Sequence, residues 1–274
     1  MPPVPGPGVR RRNVGAGPVR LRLTNSAMPS GSSAGLGKLA RNFYLSGPRP
    51  CPYLYGRVER SIFTELAGPD AGRLYETLLR CGFRRSHRVA FRPACPDCMA
   101  CVPVRVVVRD FVERGWMRRI RKANSALAIE ERPARASREQ YALFRRYIAA
   151  RHRDGEMAMM DYEDYRNMVE DSPLDSLIAE FRDPTGALVA ACLADRLSDG
   201  FSAVYSFFTS DPAWPSLGSH MILWLVETAR ARALPYVYLG YWVAGSSKMA
   251  YKARFQPLEA LGSDGWRPLA AAAK

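Results

Sequence analysis

Residues 176–242 constrain the fold more than any other stretch. Ser176–Arg182 is β-like, Asp183-Pro184-Thr185-Gly186 a turn, and 187–197 a second strand. Ser198-Asp199-Gly200 reverses the chain again into 201–209. Short β-rich runs joined by such turns pair as hairpins. The period then changes. Leu217, Met221, Ile222, Leu225, Val226 and Ala229 recur at helical spacing within 217–233, and Tyr236–Trp242 returns as a buried-type strand. Strand–strand–strand–helix–strand makes an α/β layer around a mixed sheet.

The upstream half carries weaker signals. Residues 42–46 read as a short strand and 47–52 as a loop. Asp70 stands as N-cap to a helix with Ala71, Leu74, Tyr75, Leu78 and Leu79 on one face, and Gly82 closes it. Strands are expected at 83–92 and 102–108, and a helix with Trp116, Ile120 and Ala123 inward. Residues 132–137 read as a linker. Ser137 and Gln140 then form a capping-box pair for a helix bearing Tyr141, Phe144, Tyr147 and Ile148. The expected divisions are an extension over 1–40, a Cys-containing N-terminal domain over 41–132 and a second domain over 133–274. The fold class is α+β.

Charge narrows the partners. The chain has 40 Lys and Arg against 26 Asp and Glu, a net charge of +14. Residues 1–40 hold six basic and no acidic residues, with six Pro and seven Gly. Such a segment buries too little apolar surface to offset its ordering entropy, so it reads as a disordered basic extension. A transit peptide, or a start at Met28, are the other readings. Without it the charge is still +8, from 34 basic and 26 acidic residues. Arg80, Arg84, Arg85, Arg88 and Arg92 form one cluster; Arg105, Arg109, Arg114, Arg118, Arg119, Arg121 and Lys122 form another. Together they suggest a footprint for phosphates, with a solvated helix face as the alternative. No apolar run approaches the ~20 residues of a membrane span.

Cys95, Cys98 and Cys101 are spaced every three residues, and Cys51 precedes them on a loop. Four thiols so placed are candidate ligands of a structural Zn²⁺ or an iron–sulfur cluster. A metal-free thiol cluster is the alternative, because Cys51 is followed by Leu54 and not by a second Cys-x-x-Cys. Cys81 and Cys192 read as core residues.

Longer motifs carry a resemblance. They include Cys51-Pro-Tyr-Leu-Tyr-Gly-Arg-Val-Glu-Arg60, Gly82-Phe-Arg-Arg-Ser86, Arg92-Pro-Ala-Cys95 and Val104-Arg105-Val106. Downstream come Asp195-Arg-Leu-Ser-Asp-Gly200, Val204-Tyr-Ser-Phe-Phe208, Ser216-Leu-Gly218, Tyr236-Val-Tyr-Leu-Gly-Tyr-Trp242 and Ser247-Lys-Met-Ala-Tyr-Lys-Ala-Arg-Phe255 with Pro257. In this order, over about residues 42–267, they resemble the arginyl-tRNA–protein transferase family, and within it the bacterial aspartate/glutamate leucyltransferase branch. Leu54 departs from the Cys-x-x-Cys of the eukaryotic members. The resemblance implies a GCN5-related acyltransferase-like mixed sheet. It implies a cytoplasmic enzyme that moves leucine from leucyl-tRNA to the α-amine of proteins beginning with Asp or Glu, marking them for the N-degron pathway. No cofactor is required.

Aminolysis of an activated ester needs proximity, a neutral amine and oxyanion stabilisation, so no triad is expected. Of the three His, at 87, 152 and 220, His152 is read as a surface or capping residue and His220 as structural. In the implied fold the site lies where central strands splay, between 201–209 and 236–242. Tyr205, Tyr241 and Lys248 are the catalytic candidates there. Lys252, Arg254 and Tyr251 would face the acidic acceptor, and Ser216 and Gly218, at a helix N-terminus, the phosphates of the tRNA end. Arg114, Arg118, Arg119, Arg121 and Lys122 are the candidate tRNA contacts. The competing functions are arginyl transfer by the same chemistry, an acetyl-CoA N-acetyltransferase (Ser216-Leu-Gly-Ser219 only partly matches its pyrophosphate loop), and a non-enzymatic RNA-binding module.

Overall fold

The computed structural model describes residues 18–19, 42–151 and 155–269. Apart from 18–19, the basic extension expected over 1–40 lies outside the described residues, as does His152. The chain begins with β1 (Pro18–Val19), β2 (Phe43–Leu45), β3 (Arg49–Pro50), β4 (Val58–Glu59), β5 (Ser61–Glu65) and α1 (Ala71–Arg80). It continues through β6 (Arg84–Ser86), β7 (Val89–Pro93), β8 (Val102–Val107), α2 (Gly115–Ala123), β9 (Ala128–Pro133) and α3 (Arg138–Arg151). The remainder is α4 (Tyr162–Glu170), β10 (Ser176–Arg182), β11 (Leu188–Leu197), β12 (Gly200–Phe208), α5 (Leu217–Ala231), β13 (Tyr236–Trp242), β14 (Leu258–Gly262) and β15 (Gly265–Pro268). Short 3₁₀ turns occur at Glu156–Met159 and Ala250–Arg254.

An eight-stranded sheet in the order β15-β14-β8-β13-β12-β11-β10-β9 forms the body. Its one parallel pair among the described residues is β12–β13, joined by the crossover helix α5. A five-stranded sheet, β1-β2-β5-β7-β6, packs with α1 against one end. The class is therefore α+β with a mixed sheet. Strands β10 and β11 are buried on both faces, which explains why residues 177–179 and 188–194 are continuously apolar. Helices α2 and α5 cover one face, with Met117, Phe181, Leu225 and Val237 in the core. Helices α3 and α4 cover part of the other through Phe144, Tyr165, Ile178 and Phe207. Tyr75, Leu79, Phe83 and Tyr238 form a third cluster beneath α1. No described helix is long and apolar enough to cross a membrane.

Several expectations change against this frame. The strand expected over 83–92 is a hairpin, because His87 turns the chain at φ +52°. The linker expected at 132–137 begins inside β9, an edge strand whose Glu and Arg side chains hide it in the sequence. The division after residue 132 thus falls within a strand of the large sheet, and β8 lies in that sheet beside β13. In α2 Ala123 is exposed and Met117 takes the buried position. Asp70 starts α1, yet its carboxylate pairs with Arg73 and caps nothing. Gly82 does end α1, at φ +86°, and a Cβ there would lie 2.9 Å from Leu261 and Pro103. The Ser137–Gln140 box forms as expected, each side chain accepting the other's backbone N–H at 3.1 and 3.0 Å.

Candidate functional site

Strands β12 and β13 pair over only three positions, Gly200–Tyr236, Phe201–Val237 and Ser202–Tyr238. Beyond these they diverge, although β12 runs on to Phe208 and β13 to Trp242. Each strand carries a bulge just past the last pair. The β11–β12 register shifts around Val204, and the β8–β13 register around Leu239. Bulges bend a strand and release its backbone groups from the ladder. The result is an open wedge between two central strands. Gly218 lies at the start of α5, where a Cβ would meet the ring of Phe208 at 3.2 Å, so α5 begins beside the wedge's open end.

Arg84 fills the closed end of this wedge. Its Nη2 donates to the carbonyls of Ala203 at 2.9 Å and Val204 at 3.2 Å, acceptors that β13 no longer reaches. Its guanidinium lies against Gly240 so closely that a Cβ there would sit 2.2 Å from Nη1. Gly240 also has φ +72°, so both contact and conformation require glycine. Sequence reasoning missed Arg84 as a site residue, although it stands in the Gly82–Ser86 motif. The available signal was the pair Arg84-Arg85, because neighbours on a strand must face opposite ways.

The sequence-derived site residues scatter around this point. Lys252 is 5% exposed and donates to the Tyr241 carbonyl at 2.6 Å. Burial, and then the charge of Arg84, lower its pKa to about 7. The Tyr241 hydroxyl donates to the carbonyls of Gly82 at 2.9 Å and Phe91 at 3.2 Å, which engages its proton. Burial pushes its pKa upward, as it does for Tyr205, whose ring packs on Phe144 at 6.1 Å. Tyr251 is 40% exposed, and burial raises its pKa against the opposing charge of Arg84. Lys248 is exposed. Arg254 stacks over Trp116 at 4.1 Å, on the α2 side. Lys252 and Arg254, the two cations expected to face an acidic acceptor, therefore do not form a single group. Ser216 precedes α5 at φ +58° and is exposed; its carbonyl accepts from Ser219 and His220, and its hydroxyl caps nothing. His220 is buried against Phe181, and burial lowers its pKa to about 4.

A cavity of about 560 Å³ adjoins the wedge across Tyr241. Tyr53, Phe63 and Phe91 line it, together with Cys51, Cys95, Cys98 and Cys101. The Leu54 N–H donates to the Cys51 sulfur at 3.4 Å, and the Cys95 thiol to the Arg60 carbonyl at 3.6 Å. Burial and the neighbouring thiols raise the Cys101 pKa to about 11. Among the described residues no three His, Cys, Asp or Glu side chains converge as ligands of one ion. Cys192 is buried as expected, whereas Cys81 is exposed.

The two arginine clusters separate sharply. In the first, Arg80 pairs with Glu76 and Asp199, Arg85 with Asp195 and Arg88 with Asp171, so this cluster is mostly internal pairing and not a phosphate-binding face. On α2, Arg114, Arg118, Arg119 and Lys122 are exposed. Arg121 differs from them, since Glu113 and Glu227 both hold it.

Comparison with known proteins fits this arrangement. Residues 49–119 match the family model of the arginine-tRNA-protein transferase N terminus, and residues 139–262 that of its C terminus. The chain is 59% identical over 228 residues to the aspartate/glutamate leucyltransferase of Paramagnetospirillum magneticum, covering 83% of this chain and 93% of that protein. It is 57% identical over 225 residues to the enzyme of the same name from Rhodospirillum rubrum, covering 82% and 92%. The chain belongs to the arginine-tRNA-protein transferase family. Among solved structures, L-PGS from Bacillus licheniformis superposes with a TM-score of 0.42 at 10% identity, covering 66% of this chain and 52% of that one. FemX superposes with a TM-score of 0.40 at 13% identity, covering 66% and 63%.

Proposed function

We propose that this chain is a cytoplasmic enzyme that transfers leucine from leucyl-tRNA to the α-amine of proteins beginning with Asp or Glu, marking them for the N-degron pathway. The observation that carries this reading is the 59% identity, across nearly the full length, to a protein named aspartate/glutamate leucyltransferase. The geometry supports it. A neutral α-amine attacks the ester carbonyl, a C–N bond forms, the C–O bond to the tRNA ribose breaks, and the 3′-oxygen leaves as a hydroxyl with a proton. The protein's task is to bring amine and ester together and stabilise the oxyanion. The unpaired β12 edge beyond Ser202 offers backbone donors beside the wedge, as an oxyanion needs. The exposed α2 cations suit the tRNA backbone, and the α5 N-terminus suits a terminal phosphate. Tyr205 and Tyr251 serve as walls, because burial raises their hydroxyl pKa values and keeps them protonated.

The test is an incubation of the purified chain with an Asp-starting peptide, total charged tRNA and labelled Leu or Arg. Label from leucine is expected in the peptide. Label from arginine alone overturns the donor assignment, and acetyl transfer from acetyl-CoA without tRNA overturns the aminoacyl reading.

A further inference from the structure

Arg84 and Arg85 are adjacent on β6 and have opposite fates. Arg85 is enclosed and fully paired: its Nε donates to Asp195 at 2.8 Å, and the two side chains are 1% and 0% exposed. Arg84 has no carboxylate partner among the described residues. Its bonds to Ala203 and Val204 use Nη2 alone. The N–H groups on Nε and Nη1 make no hydrogen bond to any described residue. A guanidinium carries five N–H donors, so the hydrogens on Nε and Nη1 are left for a charge-assisted bond to a carboxylate oxygen. Gly240 and the two β12 carbonyls fix the guanidinium in place, at the point where the central strands part.

We propose that Arg84 receives the side-chain carboxylate of the acceptor's N-terminal Asp or Glu and so determines which proteins are modified. This rests on the leucyl-transfer reading above and names the residue that gives it acceptor selectivity. Among the described residues, the buried cation at Tyr241 is Lys252, whose ammonium is already bonded to the Tyr241 carbonyl and whose pKa is lowered to about 7 by burial and by Arg84. The direction of approach separates the two substrates. Arg84 enters from β6, on the sheet face shared by α1, α3 and α4, whereas α2 and α5 cover the opposite face. An acceptor peptide reaching Arg84 thus does not compete with a tRNA lying along α2. Anchored by its carboxylate, the first residue presents its α-amine towards the open end of the wedge, where α5 begins.

The experiment uses the full chain with leucyl-tRNA and two peptides that differ only in Asp or Asn at the first position. Wild type is expected to prefer Asp. In Arg84→Gln, kcat/KM for the Asp peptide falls roughly 10- to 100-fold, the loss expected for one charge-assisted hydrogen-bonded contact. The Asn peptide and the KM for leucyl-tRNA stay unchanged. Equal loss on both peptides would make Arg84 a strand spacer, and a raised KM for leucyl-tRNA would make it a tRNA-phosphate contact; either overturns the proposal. So does a retained preference for Asp. Should Arg84→Gln not fold, Arg84→Lys decides: it keeps the cation and must keep the Asp-over-Asn preference, and its loss contradicts the assignment. A wild type that transfers no leucine to the Asp peptide refutes the leucyl-transfer reading itself, which is a separate outcome.

Discussion

Lys252 shows how one side chain changes meaning between sequence and structure. In the sequence it belongs to a cationic group facing an acidic substrate. In the fold it is a buried ammonium on a backbone carbonyl, with its pKa lowered to about 7 by burial and by Arg84. The unfolded side chain keeps its proton until about pH 10.4. Between these values the unfolded chain binds more protons, so this residue makes stability rise with pH; below pH 7 both states are protonated and the burial penalty is fully felt. Comparing denaturation midpoints of wild type and Lys252→Met at pH 7 and pH 9 isolates the effect. Wild type is expected to gain roughly 2 kcal/mol relative to the variant across that interval; an unchanged difference would place the lysine in a hydrated environment. Arg84 was harder to see, since the carbonyls it serves lie some 120 residues away, on a strand edge that exists only because two strands part.

At the level of elements, local signals succeeded where one segment determines its own shape. The Ser137–Gln140 box, the Gly82 helix end and the strand-like runs of β10, β11 and β13 are of this kind. They failed where burial is set by a partner. Strand β9 leaves no trace in the sequence beyond Arg132 and Pro133, which read as the start of a linker, until β10 pairs with it, and the β14–β15 hairpin shows itself only as an extension beside β8. Helix α2 lies between these cases. Its amphipathic pattern was legible, but only the structure shows that Arg121 is neutralised by Glu113 and Glu227 while Arg114, Arg118, Arg119 and Lys122 remain exposed. Replacing Arg118 and Arg119 together by Gln is expected to weaken tRNA binding and to lower the slope of log affinity against log salt by about 0.7–0.9 per cation. Filter binding across a salt series checks this. Unchanged affinity and slope would show that the tRNA lies elsewhere.

For the molecule as a whole, the N-terminal sheet and α1 are fastened to the large sheet by polar contacts around β11 and β12. Arg85 and Ser176 both bond Asp195, and Tyr75 meets the Ser202 hydroxyl at 3.3 Å. The Ser198-Asp199-Gly200 turn receives Glu76 and Arg80 from α1, and Gly200 is required there because a Cβ would lie 2.1 Å from the Tyr236 carbonyl. A sequence reading that finds the turn has no means of knowing that another element docks on it. Asp195→Ala would strand the Arg85 guanidinium in the interior, and about 3–5 kcal/mol of stability should be lost. A urea titration showing less than about 1 kcal/mol would mean that water reaches the pair. This attachment holds Arg84 in the wedge, so the acceptor end of the site depends on how the two sheets meet. Leucyl transfer is read directly from the product that the purified chain makes. With leucyl-tRNA and arginyl-tRNA offered together, mass spectrometry of an Asp-starting peptide should find leucine joined to its α-amine. A peptide carrying arginine, or none carrying either, would contradict the account.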